Sequence, residues 1–223
     1  MTEYRRVEPQ RRVAFPVAQA GLPIIGAAAF VTAVFALLSL TVPALLGIVA
    51  TLFICYFFRD PDRLIPDQEK AVVSPADGKV IKIETLQNSR FYDGPVRRIS
   101  IFMSIFNVHV NRVPCTGTIT RISYYPGKFF SANLDKASRD NEHNAVFLET
   151  ADGRRICFVQ IAGFVARRII CHIKEKDRVD RGQRFGLICF GSRLDVYLPV
   201  STTISVNPGD RVSAGTSILG ELA

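Results

Sequence analysis

Hydrophobic and polar positions divide this chain into two regions. From Val13 to Phe58 there is no Asp, Glu, Lys or Arg, whereas from Arg59 onward charge is dense and apolar residues come in short runs. The first region holds two apolar runs, GLPIIGAAAFVTAVFALLSL (21–40) and PALLGIVATLFICYFF (43–58). At about 1.5 Å per residue the first run spans about 30 Å as a helix, the thickness of a hydrocarbon core, and the second about 24 Å. The pattern predicts a helical hairpin within residues 1–58, with Thr41-Val42-Pro43 as its turn. The second helix is short for a full crossing; tilting little, thinning the bilayer or lying re-entrant would each accommodate it. A cleaved signal peptide fits less well, because the run is too long and lacks a cleavage site.

Beyond Arg59, strand-like runs alternate with Gly, Pro, Asn and Asp. They are AVVSP (71–75), GKVIKIETL (78–86), RRISIFMSI (97–105), GTITRISYY (117–125), NAVFLET (144–150), RRICFVQIAG (154–163), RRIICHI (167–173) and FGLICFGSRLDVYLP (185–199). Polar FFSANLDKASRDNEH (129–143) reads as loop or short helix. A weak repeat relates KDRVDRGQRFGLI (176–188) to GDRVSAGTSILGE (209–221), and resembles the turn-and-strand unit of lipoyl and biotinyl hammerhead folds. Glycine supplying a tight turn is the simpler explanation. The expected fold is mainly β (α+β), a barrel- or sandwich-like domain over 59–223 behind the hydrophobic hairpin.

Composition narrows the partners. The net charge of +8 suits an anionic partner. No zinc-finger spacing, aromatic RNA-binding motif or recognition helix is present, which argues against nucleic acid. Beside an apolar hairpin, an anionic membrane is the better partner. Arg5, Arg6, Arg11 and Arg12 precede the hairpin and Arg59 and Arg63 follow it, while its turn is uncharged. The positive-inside rule then places both ends and the domain on the cytoplasmic side of the cell (inner) membrane. Five cysteines, an odd number without a CxxC pair, argue against a disulfide framework and for a reducing compartment. No His, Cys and carboxylate spacing suggests a metal site.

One interruption carries chemistry. The last strand-like run is broken by Gly191-Ser192. Glycine leaves its carbonyl carbon sterically open, so the Ser192 hydroxyl could attack it, converting amide to ester. β-Elimination and hydrolysis would leave a pyruvoyl group at residue 192 and cut the chain into 1–191 and 192–223. The hydroxyl needs a base, and the base an orienting group. Three histidines are available: His109, His143 and His172. Asp77, in SPADGKV, could orient an imidazole. Taken singly, each feature reads more readily as a turn serine, a satisfied histidine or a turn aspartate.

Together, YFFRDPDR, SPADGKV, FNVHVNRVP, ANLDKASRDNEHN and ARRIICHIKEKDRVDRGQRFGLICFGSRLDVYLP resemble the phosphatidylserine decarboxylase family, in its short bacterial and archaeal-like form. The resemblance runs in order from about Cys55 to the C-terminus. It implies that Gly191-Ser192 is a self-cleavage site and that Ser192 becomes a pyruvoyl group forming a Schiff base with substrate. It implies Asp77 and His109 as catalytic partners in maturation, with His109 also moving the proton in decarboxylation. Longer forms carry a second histidine where this chain has Arg112, which leaves the division of labour open. Arg112, Phe129, Phe130 and Lys136 are candidates for substrate contact. The implied reaction converts phosphatidylserine to phosphatidylethanolamine, without metal, with the two fragments remaining associated and a homodimer left open. An archaetidylserine substrate, or an uncleaved membrane-tethered carrier or adaptor, are the competing readings.

Overall fold

The computed structural model describes residues 4–8, 16–127, 141–163, 168–189 and 191–223. In chain order these form β1 (Tyr4–Arg5), α1 (Leu22–Leu37), α2 (Thr41–Phe57), β2 (Ile65–Pro66), β3 (Ala71–Val73), β4 (Gly78–Leu86), β5 (Val96–Met103), β6 (Val110–Arg112), β7 (Gly117–Tyr125), β8 (His143–Glu149), β9 (Arg155–Ala162), β10 (Ile169–Cys171), β11 (Arg178–Val179), β12 (Arg184–Ile188), β13 (Ser192–Pro199), β14 (Thr203–Ile204), β15 (Arg211–Val212) and β16 (Ile218–Glu221). The chain falls into two compact units, residues 10–62 and residues 1–9 with 63–223.

The first unit is a helical hairpin. Its turn is not Thr41-Val42-Pro43 but the three residues before it. Ser39 turns the chain at φ +54°, and the amides of Leu38, Ser39 and Leu40 donate back to Val34, Ala36 and Phe35. Pro43 instead lies in the first turn of α2, where a missing N–H removes no helical hydrogen bond. At mid-height Thr32 Oγ1 and Thr51 Oγ1 lie 3.3 Å apart, and a Cβ on Gly47 would meet Thr32 Oγ1 at 2.5 Å. A small residue there is what lets the helices approach. At the open end the Ala18 amide donates to Phe58 O and the Asp60 amide to Pro16 O, each at 2.8 Å. The helix Gln19–Leu37 is long and apolar enough to cross a membrane, whereas Thr41–Phe57 is shorter.

The second unit is mainly β, with a curled half-barrel sheet. That sheet has the order β11-β7-β8-β9-β13-β5-β4-β15. Alternation along its strands separates two faces. Ile99, Ile101, Phe158, Leu194, Val196 and Leu198 belong to the main core on the inner face. Phe91, Val96, Ala145, Val159 and Tyr197 form a smaller cluster on the outer face. Two three-stranded sheets complete the unit, β10-β12-β6 and β14-β16-β3.

The sequence repeat is a structural repeat. In both copies an aspartate side chain, Asp177 or Asp210, accepts the amide three residues upstream. A glycine then turns the chain at positive φ, Gly182 at +82° and Gly215 at +74°. Gly182 donates to Val113 O and Gly215 to Ser74 O, each at 2.7 Å. A Cβ on either glycine would meet the Ile65 side chain within 3 Å, so both positions need glycine for space as well as conformation.

Candidate active site

β13 lies between β9 and β5 and pairs with both. Ser192 opens the strand, opposite Ala162 on one side and Met103 on the other. It is fully buried, and its hydroxyl lies 3.3 Å from the Met103 thioether. Gly191, immediately before, has φ +59°. This is the left-handed region that glycine enters at no steric cost. A Cβ there would touch nothing within 4 Å, so the requirement is conformational.

The other half of the site comes from the segment around β6. β6 pairs with β12, placing Val110 opposite Leu187, and the Ile188 amide lies 3.4 Å from His109 O. His109 thus lies beside β12, the strand that leads to Gly191-Ser192. Its ring is buried, with Nδ1 2.9 Å from the Asn107 carbonyl. A carbonyl can only accept, so Nδ1 carries the proton and Nε2 is the basic nitrogen of the neutral ring.

Asp77 ends the turn between β3 and β4. Its Oδ1 accepts the Ala214 amide at 2.7 Å, and its Oδ2 the Arg63 guanidinium at 2.8 Å. The same turn binds the histidine segment, because the Arg112 amide donates to Pro75 O at 2.9 Å. Arg112 itself is buried, donating to Gly182 O at 2.8 Å and lying 3.9 Å from Glu8. These contacts tie it to the glycine turn and to the N-terminal segment. Phe129, Phe130 and Lys136 lie outside the described residues, as does Phe190. His143 opens β8 on the outer face, stacked on Tyr125 with ring centroids 4.7 Å apart. Burial lowers its pKa against a hydrogen bond to Asn141 O, and the charge of Arg90 adds to the lowering.

Several residues of this region had not been singled out from sequence. Gln160, in β9, is fully buried on the inner face and donates to Asn111 Oδ1 at 2.9 Å. Asn144 Nδ2 donates to Gln160 Oε1 at 3.1 Å. Asn111 Nδ2 in turn reaches Met103 Sδ, at 3.8 Å, the atom that receives the Ser192 hydroxyl. The available signal was a lone polar residue in ICFVQIA, since a buried amide demands partners. Asn111 also lies two positions after His109, on the same side of an extended chain.

On the outer face, directly after Ser192, is a buried charge network. Arg193 clasps Asp195 through Nε at 2.6 Å and Nη2 at 3.0 Å, and Nη2 donates to Ser100 Oγ at 2.8 Å. Arg98 bridges Asp195, at 3.8 Å, to Glu84. Burial alone would raise the Glu84 pKa, but Arg98 and Lys82 outweigh it and hold the carboxyl below its usual range. Burial pushes the Cys115 thiol up to about 12. Among the described residues no cluster of His, Cys, Asp and Glu could hold a metal ion.

Residues 50–220 match the family model described as phosphatidylserine decarboxylase. The chain is 52% identical over 206 residues to a phosphatidylserine decarboxylase proenzyme of Syntrophus aciditrophicus, covering 92% of this chain and 96% of that one. It is 48% identical to the proenzyme of Desulfotalea psychrophila, covering 93% and 97%, and 49% identical to that of Ralstonia pickettii, covering 78% and 80%.

Proposed function

The chain belongs to the phosphatidylserine decarboxylase family of carboxy-lyases, and we propose that it matures by cutting itself at Gly191-Ser192 and then decarboxylates phosphatidylserine. The observation that carries this reading is a glycine in the left-handed region directly before a fully buried serine at the head of a central strand. Family membership weighs against the carrier or adaptor reading.

Maturation uses the chain's own atoms and one water. His109 Nε2 takes the Ser192 hydroxyl proton, and Oγ attacks the Gly191 carbonyl carbon, releasing the Ser192 nitrogen and forming an ester. Loss of the Ser192 α-proton expels Oγ with the Gly191 carboxylate, leaving a dehydroalanine. Water then adds to its imine tautomer and ammonia departs. The side chains around residue 192 fit the resulting group, being apolar at Met103 and Ala162. An α-keto group there supplies an electrophile for the substrate amine and a sink for the electron pair left by CO2. His109 then returns a proton to the carbon that has lost its carboxylate. Asp77, bound to Arg63 and Ala214, fixes the turn that carries Pro75 against Arg112 and so supports the histidine segment.

The apolar hairpin and flanking arginines support attachment to an anionic membrane with the domain on the cytoplasmic side. Denaturing electrophoresis with intact-mass measurement tests the central step. Wild-type protein should give a fragment that starts at residue 192 with a blocked end, and Ser192→Ala a single chain. Turnover of phosphatidylserine by a protein whose residue 192 is an unmodified serine would overturn the reading.

A further inference from the structure

β5 ends at Met103, the residue directly opposite Ser192, and the chain then turns through Ser104–Asn107. Polar residues close the turn from both ends. The Asn107 amide donates to Ser104 O at 3.0 Å. Asn107 Oδ1 accepts the Ser104 amide at 2.9 Å and the Ser104 hydroxyl at 2.8 Å, and the Asn107 carbonyl holds His109 Nδ1. The tip between them is apolar. Ile105 is 38% exposed and Phe106 61%, where a turn in water ordinarily carries Gly, Pro, Asn, Asp or Ser.

Neighbouring strands have their ends in the same row. Ala162 faces Ser192 from β9, its amide donates to Glu142 O, and His143 pairs with Tyr125. Tyr124 and Tyr125 are exposed there. Arg90 is exposed with its guanidinium 5.7 Å from the Tyr125 ring centre. Lys79, opposite Phe102, and Arg168, whose carbonyl accepts the Cys189 amide, are exposed as well. The carboxylates just before β4 and β8, Asp77 and Glu142, are buried. Apolar tip, exposed tyrosines and outward cations together make the composition of a membrane-interface contact. We infer that the Ser104–Asn107 turn is a bilayer contact of the β unit itself: Ile105 and Phe106 enter an anionic phospholipid surface while Lys79, Arg90 and Arg168 meet its headgroups. This rests on the phosphatidylserine reading above. It brings the serine headgroup to residue 192 with the lipid still in its bilayer, and Asn107 joins the inserted tip to His109.

The chain has no tryptophan, so Phe106→Trp places a single indole at the tip. Val200→Trp is the control, at an exposed position past the far end of β13, about 25 Å from Ser192 along the strand. Each full-length protein is reconstituted into vesicles of phosphatidylserine and phosphatidylcholine, with or without bromine on the acyl chains. Emission from residue 106 should shift to the blue and be quenched by the brominated lipid, and emission from residue 200 should do neither. Replacing Ile105 and Phe106 together by serine should raise KM for vesicular phosphatidylserine at least about tenfold, through the apolar burial lost. Turnover of a short-chain, monomeric phosphatidylserine should stay unchanged. If the double variant does not fold, the quenching pair decides alone. Equal quenching at the two positions, or none at 106, overturns the inference. So does emission from 106 that is blue-shifted but unquenched, which would mark burial against a second copy of the chain. A double variant that loses both substrates alike would mean that the turn acts through His109, and overturns it too. Quenching needs no turnover, so a wild-type chain that stays uncut and inactive sinks the self-cleavage reading while the indole still reports the contact.

Discussion

Replacing Asp195 by alanine removes the carboxylate that Arg193 clasps at the head of β13. Both side chains are essentially without solvent contact, and the clasp is bidentate. Arg98 retains Glu84 when Asp195 is lost, but Arg193 keeps only the Ser100 hydroxyl among its described partners. An arginine left buried without its carboxylate costs about 3–5 kcal/mol. At about 2–4 °C per kcal/mol for a chain of this size, the Tm should fall by roughly 6–20 °C. The measurement belongs in a Ser192→Ala background, in detergent, so that a single covalent chain unfolds. Replacing Arg193 and Asp195 together by leucine, with Ser100→Ala, removes both charges and should recover most of the loss, because the desolvation of both ions disappears with them. A loss below about 1 kcal/mol for Asp195→Ala would refute the reasoning. So would a triple variant as unstable as the single one.

Gly191→Ala introduces no clash, since its Cβ would meet nothing within 4 Å, but it should cost about 1–2 kcal/mol through the left-handed conformation. Self-cleavage followed on gels after synthesis should slow in the order Asn, Ala, Val at this position; equal rates for valine and glycine would remove the conformational requirement. His143 is held neutral by burial, so an unfolded chain takes up a proton near pH 6.5 that the folded chain refuses. Its contribution to stability is full above about pH 6.5 and is lost as the pH falls toward the lowered native value. The urea midpoint of Ser192→Ala should therefore drop further between pH 7.5 and 5.5 than that of Ser192→Ala with His143→Phe; equal drops would exclude His143 as the cause. In the hairpin, cysteines at positions 32 and 51 should form a disulfide under mild oxidation, because the native hydroxyls lie 3.3 Å apart. Adding Gly47→Leu should prevent it, and cross-linking that persists would mean the helices do not pack through that glycine.

Local features of the fold were readable where punctuation and alternation coincide. The runs 78–86 and 117–125 are β4 and β7 to the residue, each opening on a glycine whose absent side chain admits a neighbouring backbone carbonyl. The hairpin turn was misplaced because proline reads as a turn residue, yet at the start of a helix it fits without loss. Ser39, which makes the turn at positive φ, carries no such signal in its type. At the candidate site, Gly191-Ser192 was legible because its chemistry needs adjacent residues. The Met103 contact was not, since it joins positions 89 residues apart. Nor was the tie from Glu8 to the Arg184 amide, across 176 residues. It brings residues before the hydrophobic hairpin onto the β domain, where β1 pairs with β2.

Under the proposed maturation, the position of the cut would follow from what a reactive chain end requires. A ketone made from a serine must be the first atom group of a new chain, and chain ends are ordinarily mobile. Catalysis requires the opposite, a reacting group held within a fraction of an ångström. The head of β13 meets both demands. Ser192–Pro199 pairs along its whole length with Met103–Val96, and Ser192–Tyr197 pairs with Ala162–Cys157. Farther on, β15 pairs with β4 and β16 with β3. Breaking the bond before Ser192 therefore severs none of the ladder that positions it, and Arg193 anchors the next residue through Asp195 and Ser100. Were the same Gly-Ser pair in a loop, cleavage would release the group it creates. A buried strand flanked on both sides would make such an end fixed, and under the proposed cleavage the same flanking would keep residues 192–223 with the rest of the protein.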